Sequence, residues 1–163
     1  MISRAELQSQ LHEVGLADHA ATLADHARPS IMIARVVTPD ETQLALGASK
    51  LGGNPDVPED FQWPHHNNRP LLFLGQFNLA EVTAYDVEKQ LPDEGILYFF
   101  SDRLHGEAGV VFYHPSGSPH GLIRHPHPAL SDDSYPLPAA RLSFNTEWSF
   151  PSGEYLHNSV GEH

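Results

Sequence analysis

Proline interrupts this chain so often that its regular elements must be short. Fourteen prolines and 12 glycines are spread over 163 residues. Each proline lacks the N–H that a helix interior or a central strand requires, so turns and loops are expected rather than long helices. The apolar fraction of 40% and charged fraction of 18% are those of a globular chain. The length suits one domain, residues 1–163, with no second independent core.

Ahead of Pro29 the pattern is helical. Ser3 and Glu6 have capping-box spacing, Leu7, Leu11 and Val14 form a stripe, and Gly15 suits a C-terminal cap. Asp18 to Ala27 continues with Ala20, Leu23, Ala24 and Ala27 on one side. Residues 1–28 are therefore a helical N-terminal segment, residues 29–150 a sheet-forming core and residues 151–163 a polar tail. Within the core, Ile31–Val37 reads as a strand, with Thr42–Leu46 returning beside it. Gly47 to Pro70 is too broken by Gly52, Gly53, Pro55, Pro58 and Pro64 for regular structure, yet Leu51, Phe61 and Trp63 predict that this long loop packs onto the core. Leu71–Leu79 and Ile96–Phe100 are apolar on both faces and read as central strands. Gly109–His114 and Gly121–His125 read as neighbours joined by the turn Pro115–Pro119, and Ala140–Phe144 as a last strand. The expected fold class is α+β: N-terminal helices followed by a mixed, largely antiparallel sheet with long Pro/Gly-rich loops.

There is no cysteine, which excludes disulfides, thiolate nucleophiles and Cys-ligated metals. No apolar run is long enough to span a bilayer, so neither a membrane nor secretion is expected and a cytoplasmic location is the default. Nine Lys and Arg against 21 Asp and Glu give a formal charge of −12, which repels a nucleic-acid backbone.

An ordered series of motifs follows. Ser49-Lys50-Leu51-Gly52-Gly53-Asn54-Pro55 precedes Trp63-Pro64, then Pro70-Leu71-Leu72-Phe73-Leu74-Gly75-Gln76-Phe77-Asn78-Leu79, then Leu91-Pro92 and Gly95-Ile96-Leu97-Tyr98-Phe99-Phe100. This series resembles the YwqG-like family, a domain of unknown function. The resemblance runs from about Arg28 to Phe144 and implies a largely antiparallel sheet with flanking helices, of bacterial intracellular origin. Members of that family are often longer, with a C-terminal half that partly echoes these signals. The resemblance therefore raises three forms: a natural short member, a truncated chain, or a half-domain that completes its sheet with a second copy.

The chemistry-bearing residues point in several directions. Gly47–Asn54 departs from a phosphate-binding loop because Lys50 precedes Gly52 instead of following the second glycine. Gln76 falls, by strand alternation, on the face of Leu72 and Leu74, where a buried amide needs partners that the glycine-rich loop can supply. Ser49, Lys50, Gly52, Gly53, Trp63 and Gln76 are the ligand- or partner-binding candidates. His125 and His127 could bind a metal with a third ligand such as His105, His114, His120, Asp132 or Asp133. No serine lies in a nucleophile elbow, so no catalytic residue and no cofactor is assigned.

Three readings remain. The first is a noncatalytic binding or protein-interaction module for an unidentified protein partner, a basic one suiting the charge, with recognition through the Gly52–Trp63 loop and the acidic surface. The second is a metal-dependent hydrolase using His125 and His127. The third is a half-domain that homodimerises by sheet completion.

Overall fold

The structure is a computed structural model describing residues 2–102, 108–117, 120–128 and 137–150. Helix α1 (Arg4–Glu13) starts at the predicted capping box. The Glu6 N–H donates to the Ser3 hydroxyl at 3.2 Å, and the Ser3 N–H donates back to the Glu6 carboxylate at 2.7 Å. Gly15, at φ +84°, ends the helix in the left-handed conformation that glycine adopts without a Cβ penalty. A 3-10 turn at Ala17–His19 leads into α2 (Ala20–His26). Leu7, Leu11, Ala20, Ala24 and Ala27 form a small apolar cluster closed by Trp148. The Trp148 indole N–H donates to the Ile2 carbonyl at 3.0 Å, and the Arg4 guanidinium lies 5.0 Å over its ring. Val14, expected on the buried stripe, is instead the cap residue and 71% exposed.

The strands are β1 (Arg28–Val37), β2 (Lys50–Leu51), β3 (Asp56–Pro58), β4 (His65–His66), β5 (Arg69–Pro70), β6 (Leu72–Asn78), β7 (Ile96–Ser101), β8 (Gly109–His114), β9 (Leu122–Arg124) and β10 (Ala140–Ser149). A one-turn helix, α3 (Leu79–Val82), follows β6. Six strands form one sheet in the order β1-β10-β2-β6-β7-β8, while β3 pairs with β9 and β4 with β5. Every one of these pairings is antiparallel. The fold class is α+β and mostly β, as expected.

Three local expectations are corrected. Thr42–Leu46 does not return beside β1, because the Asp40 carboxylate accepts from both the N–H and the hydroxyl of Thr42 and winds Glu41–Gln43 into a 3-10 turn. The strand beside β1 is β10, in register from Arg28↔Ser149 to Val37↔Ala140. Nor do Gly109–His114 and Gly121–His125 pair with each other. β8 pairs with β7, and β9 leaves the large sheet to pair with β3. Finally, the Gly47–Pro70 segment contains regular structure after all, with β2 wedged between β10 and β6 and a β4–β5 hairpin turned by Asn67 and Asn68, both at positive φ.

The main core lies on one face of β6 and β7, where Leu71, Phe73, Ile96, Tyr98 and Phe100 meet Val57 and Leu122 of the small β3–β9 sheet. Phe61 and Trp63 pack against this cluster from the loop, as the sequence predicts. Strand β6 carries a bulge: Phe73 pairs with Phe100, yet the next register pair is Gly75 with Phe99. The additional residue, Leu74, is left 37% exposed, and every position after it changes face. Gln76 therefore does not share the face of Leu72 and Leu74 as simple alternation predicts. It pairs with Tyr98 and points into the core.

Candidate functional site

The bulge delivers Gln76 to a buried ionic cluster. Lys50, Asp56 and Gln76 are each fully buried. The Lys50 ammonium lies 3.0 Å from both Asp56 and Glu41. Arg124, on β9, places its Nε 2.8 Å from the Asp56 carboxylate, and its other nitrogens donate to the carbonyls of Glu41 (2.7 Å) and Leu44 (3.0 Å). Gln76 donates to Asp56 (2.9 Å) and to the Ala48 carbonyl (2.8 Å), and accepts from the Asp56 N–H (2.8 Å). The Gly47 N–H completes the shell around Asp56 at 3.1 Å. Burial works against the charge on Arg124, but the hydrogen bond and charge of Asp56, aided by Glu41, outweigh it and raise the guanidinium pKa. Tyr98 donates its hydroxyl to the Asp56 carbonyl at 2.7 Å; burial, then the nearby Asp56 charge, pushes the phenol pKa up.

The glycine-rich loop is folded around the same cluster. Gly52 and Gly53 have positive φ. A Cβ on Gly52 would collide with the Pro138 carbonyl, and one on Gly53 with the Glu41 carboxylate. The Asn54 N–H and side-chain amide donate to Glu41 at 2.8 and 3.0 Å. Ser49 donates its N–H to Glu81 and accepts from the Asn78 N–H at 2.9 Å. Among the described residues no buried side-chain polar atom lacks a hydrogen-bond partner. Of the six sequence candidates, the structure thus brings Ser49, Lys50, Gly52, Gly53 and Gln76 into one interior framework. Sequence reasoning missed their partners Glu41, Asp56 and Arg124. Arg124 lies 68 positions from Asp56, and no local spacing joins the two.

Trp63 stands apart, half-buried, with its indole N–H donated to the Leu71 carbonyl at 2.8 Å. The rings of His125 and His127 lie against it, with centroids 5.6 and 4.7 Å away. His125 Nδ1 is 2.8 Å from the Pro126 carbonyl and His127 Nδ1 is 3.2 Å from that of Pro128. Burial lowers the His127 pKa, with the Pro128 hydrogen bond opposing. The structure brings the two histidines to one tryptophan. Among the described residues, no group of three His, Asp or Glu side chains is gathered to hold a metal. His105, Asp132 and Asp133, proposed as third ligands, lie outside the described residues.

The surface offers a different feature at β1, an outermost strand of the large sheet. Met32, Ile33, Val36 and Val37 are each more than 40% exposed. The Thr38 N–H donates to the Ala139 carbonyl at 2.8 Å, continuing the β1–β10 register. By the alternation of an antiparallel ladder, residues 28, 30, 32, 34 and 36 turn their backbone groups to β10, and residues 29, 31, 33, 35 and 37 turn theirs outward. Pro29, which has no N–H, falls on the outward side, where a proline is tolerated. Beside this edge is a cavity of about 260 Å³ lined by Ile31, Tyr85, Asp86, Glu88 and Leu91, among others. Thr146 of β10 donates its hydroxyl to the Tyr85 carbonyl at 3.0 Å and so fixes the loop that forms the cavity wall.

No helix among the described residues is long and apolar enough to cross a membrane. No curated protein matches the chain. The family described as a domain of unknown function (DUF1963) matches residues 49–152, more than half of the chain, and spans the glycine-rich loop, Trp63, Gln76 and Arg124. The chain belongs to that family of domains of unknown function.

Proposed function

We propose that this chain is a noncatalytic, YwqG-like protein-interaction module of the cytoplasm, and that it takes up an extended, basic protein segment by strand addition at β1. The observation that carries this reading is the ten-residue edge strand with backbone groups turned outward and apolar side chains exposed. An added strand would gain main-chain hydrogen bonds along β1 and specificity from every second side chain. Asp86 and Glu88, which line the cavity beside this edge, favour a segment that carries a cation. The ionic cluster supports the same reading from inside, since its groups are paired with one another and serve to hold the sheet. Ser49, Lys50, Gly52, Gly53 and Gln76 then act by fixing the scaffold, and Trp63 with the loop around it is a second contact surface.

The test uses a synthetic ten-residue peptide of alternating lysine and valine, titrated into the isotope-labelled protein. Binding should slow hydrogen exchange at the amides of Ile31, Ile33, Arg35 and Val37 and weaken as salt is raised. Ile33→Pro removes only an outward N–H and should abolish the protection while leaving the sheet intact. With the protein held monomeric by dilution, peptide saturation with unchanged exchange at those four amides would sink the reading.

A further inference from the structure

Resting on that reading, the geometry points to a second copy of this chain as the strand that pairs with β1, with Arg35 of each copy entering the acidic cavity of the other. The outward residues run from 29 to 37, and their midpoint is Ile33. An antiparallel two-fold pairing centred there sets Ile33 against the partner's Ile33, Ile31 against the partner's Arg35 and Pro29 against the partner's Val37. This register engages every outward position at once. It also sets the one residue without an N–H at the end of the ladder, where a missing bond costs least. Moving the centre to Arg35 would oppose two guanidinium groups, and moving it to Ile31 would leave Val37 and Arg35 beyond the strand.

Directly opposed residues in an antiparallel pair project from the same face. Ile31, Ile33 and Arg35 share the face of Thr146, Phe144 and Leu142 through their register with β10. The Tyr85–Leu91 loop lies on that face too, because Tyr85 contacts both Thr146 and Phe144. The partner's Arg35, set beside Ile31, therefore arrives at the cavity that Ile31 lines together with Asp86 and Glu88. Arg35 is exposed and has no ion-pair partner among the described residues. Asp86 is 8% exposed, with one carboxylate oxygen accepting from the Leu91 N–H at 2.7 Å, while Glu88 is exposed. Among the described residues the cavity thus has no cation in its lining, and a second copy supplies one. Two symmetric insertions result from one interface, which is closed and does not propagate.

The absence of cysteine allows a direct test. In the centred register only a cysteine on the two-fold axis meets itself. Ile33→Cys should oxidise to a covalent dimer, since opposed Cα atoms about 5.5 Å apart fit a disulfide. Ile31→Cys should not, because its counterpart lies roughly 13 Å along the strand. Sedimentation should show a wild-type dimer that Arg35→Glu weakens on the order of tenfold or more and that adding Glu88→Arg to Arg35→Glu restores, with circular dichroism unchanged throughout. Equal cross-linking at both positions, or a dimer indifferent to Arg35→Glu, overturns the proposed register. A wild-type monomer at micromolar concentration overturns self-pairing. If the lysine/valine peptide still protects the Ile33 amide of that monomer, strand addition survives without it, and if the peptide fails as well, both readings fall.

Discussion

Asp56, itself fully buried, accepts hydrogen bonds from Gly47, Gln76 and the partly exposed Arg124 and pairs with the buried Lys50. Removing it takes the nearest carboxylate from Arg124 and one of two from Lys50, leaving Glu41 to face both cations, and breaking a buried pair from one side costs about 3–5 kcal/mol. Asp56→Ala should lower the stability by that amount in urea denaturation, whereas loss of the exposed Lys89–Asp93 pair by Asp93→Ala should be nearly silent. His127 gives a second test. Its folded pKa is lowered, chiefly by burial, so the folded state disfavours the charged ring and the unfolded chain takes up the proton first. The stability this confers is present above the unfolded value of about 6.5 and is lost as pH falls through it toward the lowered folded value. The melting temperature of His127→Gln should therefore fall less than that of the wild type between pH 7 and pH 5; parallel curves would remove the burial argument. At this scale the sequence made Lys50 and Gln76 visible as polar groups beside apolar strands. Glu41, Asp56 and Arg124 were not legible, because their roles come from three separate loops and strands meeting in space.

Strand periodicity and proline punctuation were enough to locate β1, β6, β7 and β8, and the capping box located α1. The face of Gln76 was not legible, because one bulged residue inverts all that follow and nothing in Leu72–Asn78 marks where it falls. Deleting Leu74 removes only the additional residue and leaves Gln76 opposite Tyr98 and facing Asp56. The shortened protein should therefore keep its cooperative unfolding transition and its near-ultraviolet dichroism, whereas inserting one residue between Gly75 and Gln76 should turn the amide away and abolish both. If the insertion melts like the wild type, the face of Gln76 has no such role. Gly75 is a second constraint on this element. A Cβ there would come within 2.7 Å of the Lys50 carbonyl and of a Leu51 methyl. Gly75→Ala should push β2 off β6 and destabilise the chain by more than the usual ~1 kcal/mol of a point substitution, as read by urea denaturation. The pairing of β10 with β1 and of β9 with β3 was likewise hidden, since sequence neighbours make the usual first guess for strand neighbours.

For the whole molecule, charge dominates the expectation. Twelve histidines could offset the formal −12 as pH falls through about 6.5, in keeping with a pI near 5.3. Solubility should pass through a minimum in mildly acidic buffer; a flat curve from neutral pH to the pI would contradict this. The position of β10 has a consequence for how the chain is made. It lies between β1 and β2, and it is the only described strand that pairs with β1. A ribosome therefore releases β1 long before its partner exists. At ~5–20 residues per second, the 112 residues from Thr38 through Ser149 take roughly 6–22 s to emerge. Through that interval Ile31–Val37 has both edges bare on the nascent chain, so neighbouring ribosomes on one message would hold several such strands close together.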